Sequence, residues 1–499
     1  MLLSTTAVSW SDMPLVWSFI LQIGILLIAM LVGNLIRLRV PFVKKLLLPT
    51  SLIAGVMLFL VKTVLQLCGV DTEALLNNAL MQVITYHALG IGFAAMALKR
   101  APARDRKANM TKVFDTALIN GGSYMLQSTL GLLITLVCFG GVYYAGIILP
   151  LGFGQGPGNA MIWGANYEVY GLTGGASFGL TVATVGFVVA SVVGVVYMNI
   201  MRRRGKLTVR YAERTSDVIE GSSAPESESV DKLTVNLGLV FLAYGFCFLF
   251  MWALSATGIG LLDSLGWGLN FMWAMFFAYL LKWALGFMGK KAKVQPREEY
   301  RSNYLLDRIS GFCFDLMIVA GVAAIEWEHV ARYWAPLLAL CVAGSAGTFL
   351  FIYLGSKHAF SGYEHETFLG NFGTLTGTVS NGMILVREVD PEFRTPAAGN
   401  LVACNFFTVI LNAPLFLLLA TVPTGLFGLE GKASAWVCFG IFAALFCLYA
   451  TLLFRRAIFR KRYPKGKELV WTEETDYITK DELDALSAAS KDTEGDPEQ

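Results

Sequence analysis

Two segments of this chain combine closely spaced glycines with neutral polar side chains inside apolar surroundings. The first reads L-G-F-G-Q-G-P-G-N over residues 151–159, and the second reads G-N-F-G-T-L-T-G-T-V-S-N-G over residues 370–382. Backbone carbonyls suit a small hard cation such as Na+, and free amides at helix N-termini suit a carboxylate. We therefore predict that the two segments together bind a cation and an organic anion.

The candidate ligands are mainly neutral groups, which can bind an ion without a permanently buried charge. The residues expected to contact the anion are Gly154, Gln155, Gly156, Gly158, Asn159, Asn371, Thr374, Thr376, Thr378 and Arg387. The residues expected at the cation are Asn381, Ser380, Asp315, Asn405 and Thr181. Other roles stay open: glycines also allow close helix packing, Arg387 also suits a cytoplasmic anchor, and Asp315 also suits pairing with Arg308 near the interface.

The composition predicts the setting in which these segments lie. Of the 499 residues, 55% are hydrophobic and 15% are charged, whereas a soluble domain carries about a quarter charged residues. Runs of about 20 apolar residues, the length that crosses a bilayer as helix, account for this deficit. The expected fold is an all-α polytopic membrane protein with about eleven transmembrane helices.

Lys and Arg residues predict the orientation of these spans, because they concentrate on the cytoplasmic side. Basic clusters follow alternate apolar runs at residues 37–45, 99–112, 202–206, 290–297 and 455–462. The expected location is the bacterial inner membrane, with the N-terminus outside and the C-terminus cytoplasmic. The same alternation requires each glycine segment to enter and leave on one side, the first from outside and the second from inside.

The chain thus divides into two halves of opposite orientation. The predicted parts are a first inverted five-helix repeat (14–206) with a re-entrant hairpin at about 145–175, a cytoplasmic linker (207–232), a second repeat (233–422) with a hairpin at about 359–388, an extra final span (433–456) and a solvated cytoplasmic tail (457–499) with a short helix near 480–489. Inverted repeats whose broken segments meet near the midplane are a recurrent plan of secondary transporters.

Several motifs resemble the glutamate:sodium symporter family of bacteria. They are L-L-L-P-T-S-L-I-A-G (46–55), Y-H-A-L-G-I-G-F-A-A (86–95), G-F-G-Q-G-P-G-N-A-M-I-W-G (152–164), Y-G-L-T-G-G (170–175) and G-N-F-G-T-L-T-G-T (370–378). The likeness extends to about residue 455, although Gln155 stands where the family has a histidine. It implies Na+-coupled uptake of glutamate, a homodimer, and a fixed scaffold with a moving transport domain.

The expected partners are therefore glutamate or a similar anion, Na+ as coupling ion, membrane lipid and a second copy of the chain, with no other cofactor and no nucleic acid. Proton- or Na+-coupled transport of another organic anion, such as a hydroxycarboxylate or dicarboxylate, stays open because of Asp315 and Gln155. An intramembrane enzyme would usually show clustered acids, His residues or Ser–base pairs at one interface. The sequence has no such cluster, so we expect no enzymatic activity.

Overall fold

The computed structural model describes residues 14–73, 75–99, 109–207, 229–291, 302–459, 469–472 and 476–485. Most of the predicted linker, the basic loops at 100–108 and 292–301, and the tail segments at 460–468 and 486–499 lie outside the described residues.

Helices form nearly all of the described chain. In chain order they are α1 (Pro14–Arg39), α2 (Pro41–Lys45), α3 (Thr50–Leu67), α4 (Asn78–Leu98), α5 (Met110–Cys138), α6 (Ile148–Gln155), α7 (Pro157–Asn166), α8 (Gly175–Arg203), α9 (Ser229–Ser255), α10 (Gly260–Gly268), α11 (Asn270–Lys291), α12 (Asn303–Ala323), α13 (Trp327–Arg332), α14 (Trp334–Ala359), α15 (Glu364–Thr376), α16 (Val379–Val389), α17 (Ala397–Ala403), α18 (Asn405–Leu419), α19 (Thr421–Thr424), α20 (Gly431–Leu453) and α21 (Arg455–Ile458). Short 3-10 helices occupy Tyr143–Ile147 and Glu168–Tyr170, and strands β1 (Leu469–Thr472) and β2 (Asp476–Thr479) pair antiparallel.

Length and apolar composition mark many of these helices as membrane spans. Within the described residues, nine helices are long and apolar enough to cross a bilayer, and the pair α10–α11, bent by 72°, raises the number to ten. Helix α12 has 21 residues but carries Asp307, Arg308 and Asp315, and it is not among the nine. The chain is thus an all-α polytopic membrane protein, as the composition predicts, and α12 lies at the eighth of the predicted spans.

The helices pack in two groups. In the first, α4 contacts α11 and α12, α3 contacts α1 and α12, and α9 contacts α11. In the second, α5 contacts α14, α18 and α20, while α6, α7 and α15 pack against α8. The pairs α3–α12 and α4–α11 each join the second predicted span of one half to the third predicted span of the other.

Glycines let α7 and α8 approach backbone to backbone. A Cβ atom on Gly164 would overlap the Gly175 carbonyl, and one on Gly179 would overlap the Ala160 carbonyl. Small residues permit this close packing in membranes, where the hydrophobic effect does not drive helix association. These glycines therefore serve packing, unlike the glycine at the helix break described below.

Part of the C-terminal tail is packed, although the sequence predicts a solvated tail. Strands β1 and β2 form a tail hairpin in which the Trp471 amide donates to the Ser361 carbonyl (3.1 Å) and the Trp471 side chain is 5% exposed. The hydroxyls of Tyr363 and Tyr477 are hydrogen-bonded at 2.6 Å. The expectation was wrong here because aromatic side chains on both sides exclude water. The predicted short helix begins at Lys480.

Candidate functional site at two broken helices

The first glycine segment forms a helical hairpin, called hairpin 1, of α6 and α7 with a break at Gly156. Gly156 has φ 84° and ψ −175°, a conformation essentially confined to glycine. Pro157 follows as the first residue of α7, where its missing N–H costs no hydrogen bond. The Asn159 side-chain amide donates across the break to Gln155 Oε1 (2.9 Å). Asn159 Oδ1 is buried and has no hydrogen-bond partner.

The second glycine segment forms a comparable hairpin, called hairpin 2, of α15 and α16 with a break at Gly377 and Thr378. Asn381, in the first turn of α16, is 5% exposed, and its Nδ2 atom has no hydrogen-bond partner. A Cβ atom on Gly382 would overlap the Gly370 carbonyl. The two arms of hairpin 2 are therefore in direct contact near its tip.

The two hairpins approach each other from opposite ends of α5. Near the C-terminal end of α5, Thr135 Oγ1 donates to the Tyr143 carbonyl (2.5 Å), just before hairpin 1 begins. At the N-terminal end, Lys112 Nζ donates to the Ala359 carbonyl, just before hairpin 2 begins. Because each hairpin starts at one end of α5 and runs toward its middle, their tips converge near the centre of this helix.

Three contacts place both tips at that centre. A Cβ atom built on Gly156 would lie 3.3 Å from the Thr378 methyl carbon, so the two breaks touch. The Tyr124 hydroxyl, at the midpoint of α5, donates to the Gly154 carbonyl of hairpin 1 (2.8 Å). One turn along α5, Gln127 Nε2 donates to the Leu375 carbonyl of hairpin 2 (2.9 Å).

The convergence brings two kinds of backbone group together. Helices α7 and α16 begin at the tips, and neither has a side-chain cap on its first turn, so their first amides point into the site. Helices α6 and α15 end there, which leaves carbonyls of their last turns facing the same region. The N-termini favour an anion and the C-termini favour a cation. Residues 151–159 and 370–382 contain no ionisable side chain.

Polar side chains of hairpin 2 mostly donate within their own helix. Asn371 Nδ2 donates to the Thr367 carbonyl (2.8 Å), Thr374 Oγ1 to Gly370 (2.8 Å) and Thr376 Oγ1 to Phe372 (2.7 Å). Their oxygens thus remain available as acceptors. Asn371 Oδ1 is buried and has no hydrogen-bond partner.

Gly158 has a packing contact in the structure. A Cβ atom on it would lie 3.0 Å from Met317 Sδ of α12 and 3.0 Å from the Leu89 methyls of α4. Hairpin 1 therefore rests against the first helix group at this glycine.

Four further predicted residues are exposed or bonded within their own helix. Arg387 is exposed near the end of α16, nine residues or about 13 Å from Thr378 along a helix. Ser380 is exposed on the first turn of α16, and Asn405 is exposed at the start of α18. Thr181 Oγ1 donates within α8 to the Ser177 carbonyl (2.7 Å).

Asp315 lies on the side of α12 that faces away from hairpin 1. Met317 contacts hairpin 1, and residues two apart on a helix point in nearly opposite directions, about 200° apart. The Asp315 side chain instead lies beside Ser51, in the first turn of α3. This carboxylate therefore belongs to the α3–α12 contact.

Sequence reasoning missed Tyr124, Gln127 and Thr348. All three are buried, and Gln127 Nε2 also donates to Thr348 Oγ1 of α14 (2.9 Å). The available signal was a polar side chain in the middle of an apolar run, which in membranes marks an interior contact or a functional site.

The fold and the site together define a helical membrane protein in which two broken helices meet beside α5. A scan against protein-family models found no match for the chain, and a search of curated proteins found none either.

Proposed function

We propose that this protein is a secondary active transporter, a Na+-coupled symporter of glutamate or a related acidic substrate that works by alternating access across the bacterial inner membrane. The observation that supports the proposal is the contact between Gly156 and Thr378, where two broken helices meet. Broken helices at membrane depth are tolerated where protein or a water cavity satisfies their backbone groups, and secondary transporters place their substrate sites at such points.

The oxygen groups near the tips fit a Na+ ion. Asn159 Oδ1 and Asn371 Oδ1 are both buried acceptors without a hydrogen-bond partner. A buried acceptor that lacks a donor carries a desolvation cost, and a cation would remove that cost by coordination. Amide and carbonyl oxygens are the ligands that hard cations prefer. The donor set thus suits Na+ at the C-terminal ends of α6 and α15.

The free amides near the tips fit the carboxylate of an acidic substrate. The N-terminal turns of α7 and α16 supply N–H donors and the positive ends of two helix dipoles. A cation bound at the neighbouring carbonyls would favour the anion electrostatically, and the anion would favour the cation equally. This mutual dependence is the physical basis of symport in the proposal.

The two helix groups suit the alternating-access step. We propose that α3, α4, α11 and α12 belong to a scaffold that also forms the homodimer, and that α5, α8 and both hairpins move as a transport domain. The resemblance in the motifs supports this division, and so does the packing of the helices in two groups.

Uptake of radiolabelled glutamate into proteoliposomes tests the proposal. Uptake driven by an inward Na+ gradient, and lost when K+ replaces Na+ or when the gradient is collapsed, is the expected result. The absence of uptake under all ion gradients would overturn the glutamate proposal, and uptake driven equally by a proton gradient alone would overturn Na+ coupling.

A second candidate is a transporter of another organic anion, such as a hydroxycarboxylate or dicarboxylate, coupled to Na+ or protons. The observation that favours it is the absence of ionisable side chains from 151–159 and 370–382, together with the distance of Arg387 from the tips. Backbone amides alone distinguish poorly among carboxylates. Competition of unlabelled malate, citrate and aspartate against labelled glutamate separates the candidates by their relative inhibition.

A further inference from the structure

We propose that Tyr124 and Gln127 of α5 are positioning residues that couple the two hairpins, so that the position of either tip depends on the anchoring of the other. This inference rests on the proposed function for its consequence in transport, but the physical coupling between the tips can be tested without transport. The two residues are named the α5 pair.

The α5 pair binds equivalent groups of the two hairpins. Gly154 lies one residue before the end of α6, and Leu375 lies one residue before the end of α15. Both carbonyls belong to the last turn of a half-helix, where no amide of the same helix is available. The Tyr124 hydroxyl donates to the Gly154 carbonyl (2.8 Å), and Gln127 Nε2 donates to the Leu375 carbonyl (2.9 Å).

The two anchors lie on one face of one helix. Residues three apart on an α-helix point in similar directions, so Tyr124 and Gln127 act from a single surface of α5. Both are buried, at 6% and 0% exposure. Water cannot replace their hydrogen bonds readily, and an unmade bond in this setting is costly.

Each anchor has further support that limits its motion. A Cβ atom on Gly154 would lie 2.6 Å from the Tyr124 hydroxyl oxygen, so the tyrosine packs tightly against the backbone of hairpin 1. Gln127 Nε2 also donates to Thr348 Oγ1, which joins α14 to the same cluster. The α5 pair is thus fixed by packing on the hairpin 1 side and by a hydrogen-bond network on the hairpin 2 side.

The contact between the breaks transmits the effect of one anchor to the other hairpin. Because the Gly156 backbone lies next to the Thr378 methyl group, loosening hairpin 1 exposes Thr378 of hairpin 2 further. The α5 pair therefore sets whether the cation-binding carbonyls and the anion-binding amides lie close enough to act on both ions together. Loss of either anchor weakens binding of both ions.

Cysteine labelling tests the coupling directly. The background has the three exposed cysteines, Cys68, Cys138 and Cys447, replaced by serine, since the other five are buried. Thr378→Cys is then labelled with a maleimide in the wild-type α5 and in the Tyr124→Phe and Gln127→Met variants. Each variant should label about 2- to 10-fold faster, the range expected for one lost hydrogen bond.

The matched control is Ser128→Ala, which removes a buried hydroxyl from the same helix. Ser128 Oγ donates only within α5, to the Tyr124 carbonyl (2.8 Å), so its loss should leave labelling unchanged. The crosswise result, faster labelling of hairpin 2 after Tyr124→Phe, is the decisive one. Equal labelling in wild type and Tyr124→Phe would overturn the inference, whether or not the protein transports glutamate.

Uptake kinetics give the second measurement. Each variant should raise the half-saturating concentrations of Na+ and of substrate by a similar factor. The double variant should be no more impaired than the more impaired single variant, because either substitution already uncouples the two hairpins. A fall in maximal rate with unchanged half-saturation, or independent effects that multiply, would contradict the coupling. Absent uptake in the wild type would count against the proposed function, while the labelling result would still decide the inference.

Discussion

Gly156 is the residue on which the break between α6 and α7 depends. Its backbone angles, φ 84° and ψ −175°, lie in a region where an L side chain costs of order 1–3 kcal/mol. The close approach of the Thr378 methyl group leaves little room for a side chain. A residue with a Cβ atom must therefore move both tips.

Gly156→Ala should reduce Na+-driven uptake by roughly tenfold or more, since about 1.4 kcal/mol corresponds to a factor of ten. The initial uptake rate, normalised to the amount of protein in the membrane, measures this effect. Gly245→Ala is the control, because a Cβ atom there meets open space within α9. If Gly156→Ala takes up substrate at the wild-type rate, the backbone geometry of the break is not required for transport.

Asn159 contributes a side chain where most of the site is backbone. Its replacement by alanine removes the hydrogen bond to Gln155 and the free buried oxygen Oδ1. We expect the half-saturating Na+ concentration to rise about 2- to 10-fold, with a smaller change in maximal rate. Thr129→Val is a suitable control because Thr129 Oγ1 donates only to the Met125 carbonyl of its own helix. An unchanged Na+ dependence would remove Asn159 from the cation site.

At the scale of elements, the tail hairpin holds the start of hairpin 2. Gly362 has φ 95°, and a Cβ atom there would overlap the Trp471 carbonyl. Asn400 Nδ2 donates to the Tyr363 hydroxyl (3.2 Å), which extends the contact into α17. Trp471 is the buried apolar centre of this contact.

Trp471→Ala should release the tail hairpin, because removal of a buried Trp typically costs about 3–5 kcal/mol. Limited proteolysis of purified protein should then cleave strands β1 and β2 roughly tenfold faster or more, in proportion to the released population. Trp436→Ala, at a side chain 45% exposed on α20, serves as the control. Equal cleavage of the two variants would mean that Trp471 does not hold the tail.

The elements show how far the sequence could predict this site. Closely spaced glycines, with Pro157 in the first segment, predicted where both helices break, because those signals are local. The anchors were not predictable, since Tyr124 and Gly154 are 30 residues apart and Gln127 and Leu375 are 248 apart. The helix that packs against the Asp315 side of α12 was not predictable either, because helical periodicity defines the faces of a helix but not the helices that contact them.

At the scale of the whole molecule, the two helix groups also touch just beyond the C-terminal end of α12. The Glu326 amide donates to Ser177 Oγ at the start of α8 (3.2 Å), and the His329 ring packs where a Cβ atom on Gly174 would lie. Asn78 Nδ2 donates to Glu326 Oε1 (2.7 Å), which ties this loop to α4. Motion of the second group against the first must break the Glu326–Ser177 contact.

A disulfide between Ser177→Cys and Glu326→Cys should therefore stop uptake. The Glu326 amide nitrogen and Ser177 Oγ are 3.2 Å apart, which places the two residues in direct contact for cross-linking. Uptake should fall to background after mild oxidation and recover after reduction, so that the reduced protein is its own control. Full uptake in the cross-linked protein would show that the two groups do not move apart at this point.

The central claim is that the tips of the two hairpins form one binding site for cation and anion. It is tested most directly by maleimide labelling of Gln155→Cys and Thr378→Cys, made separately in the background without exposed cysteines. Na+ with glutamate should slow labelling at both positions more than either ion alone, and should leave the exposed control Val169→Cys (86% exposed) unchanged. Labelling at both tips that is insensitive to Na+ and to substrate would contradict the claim.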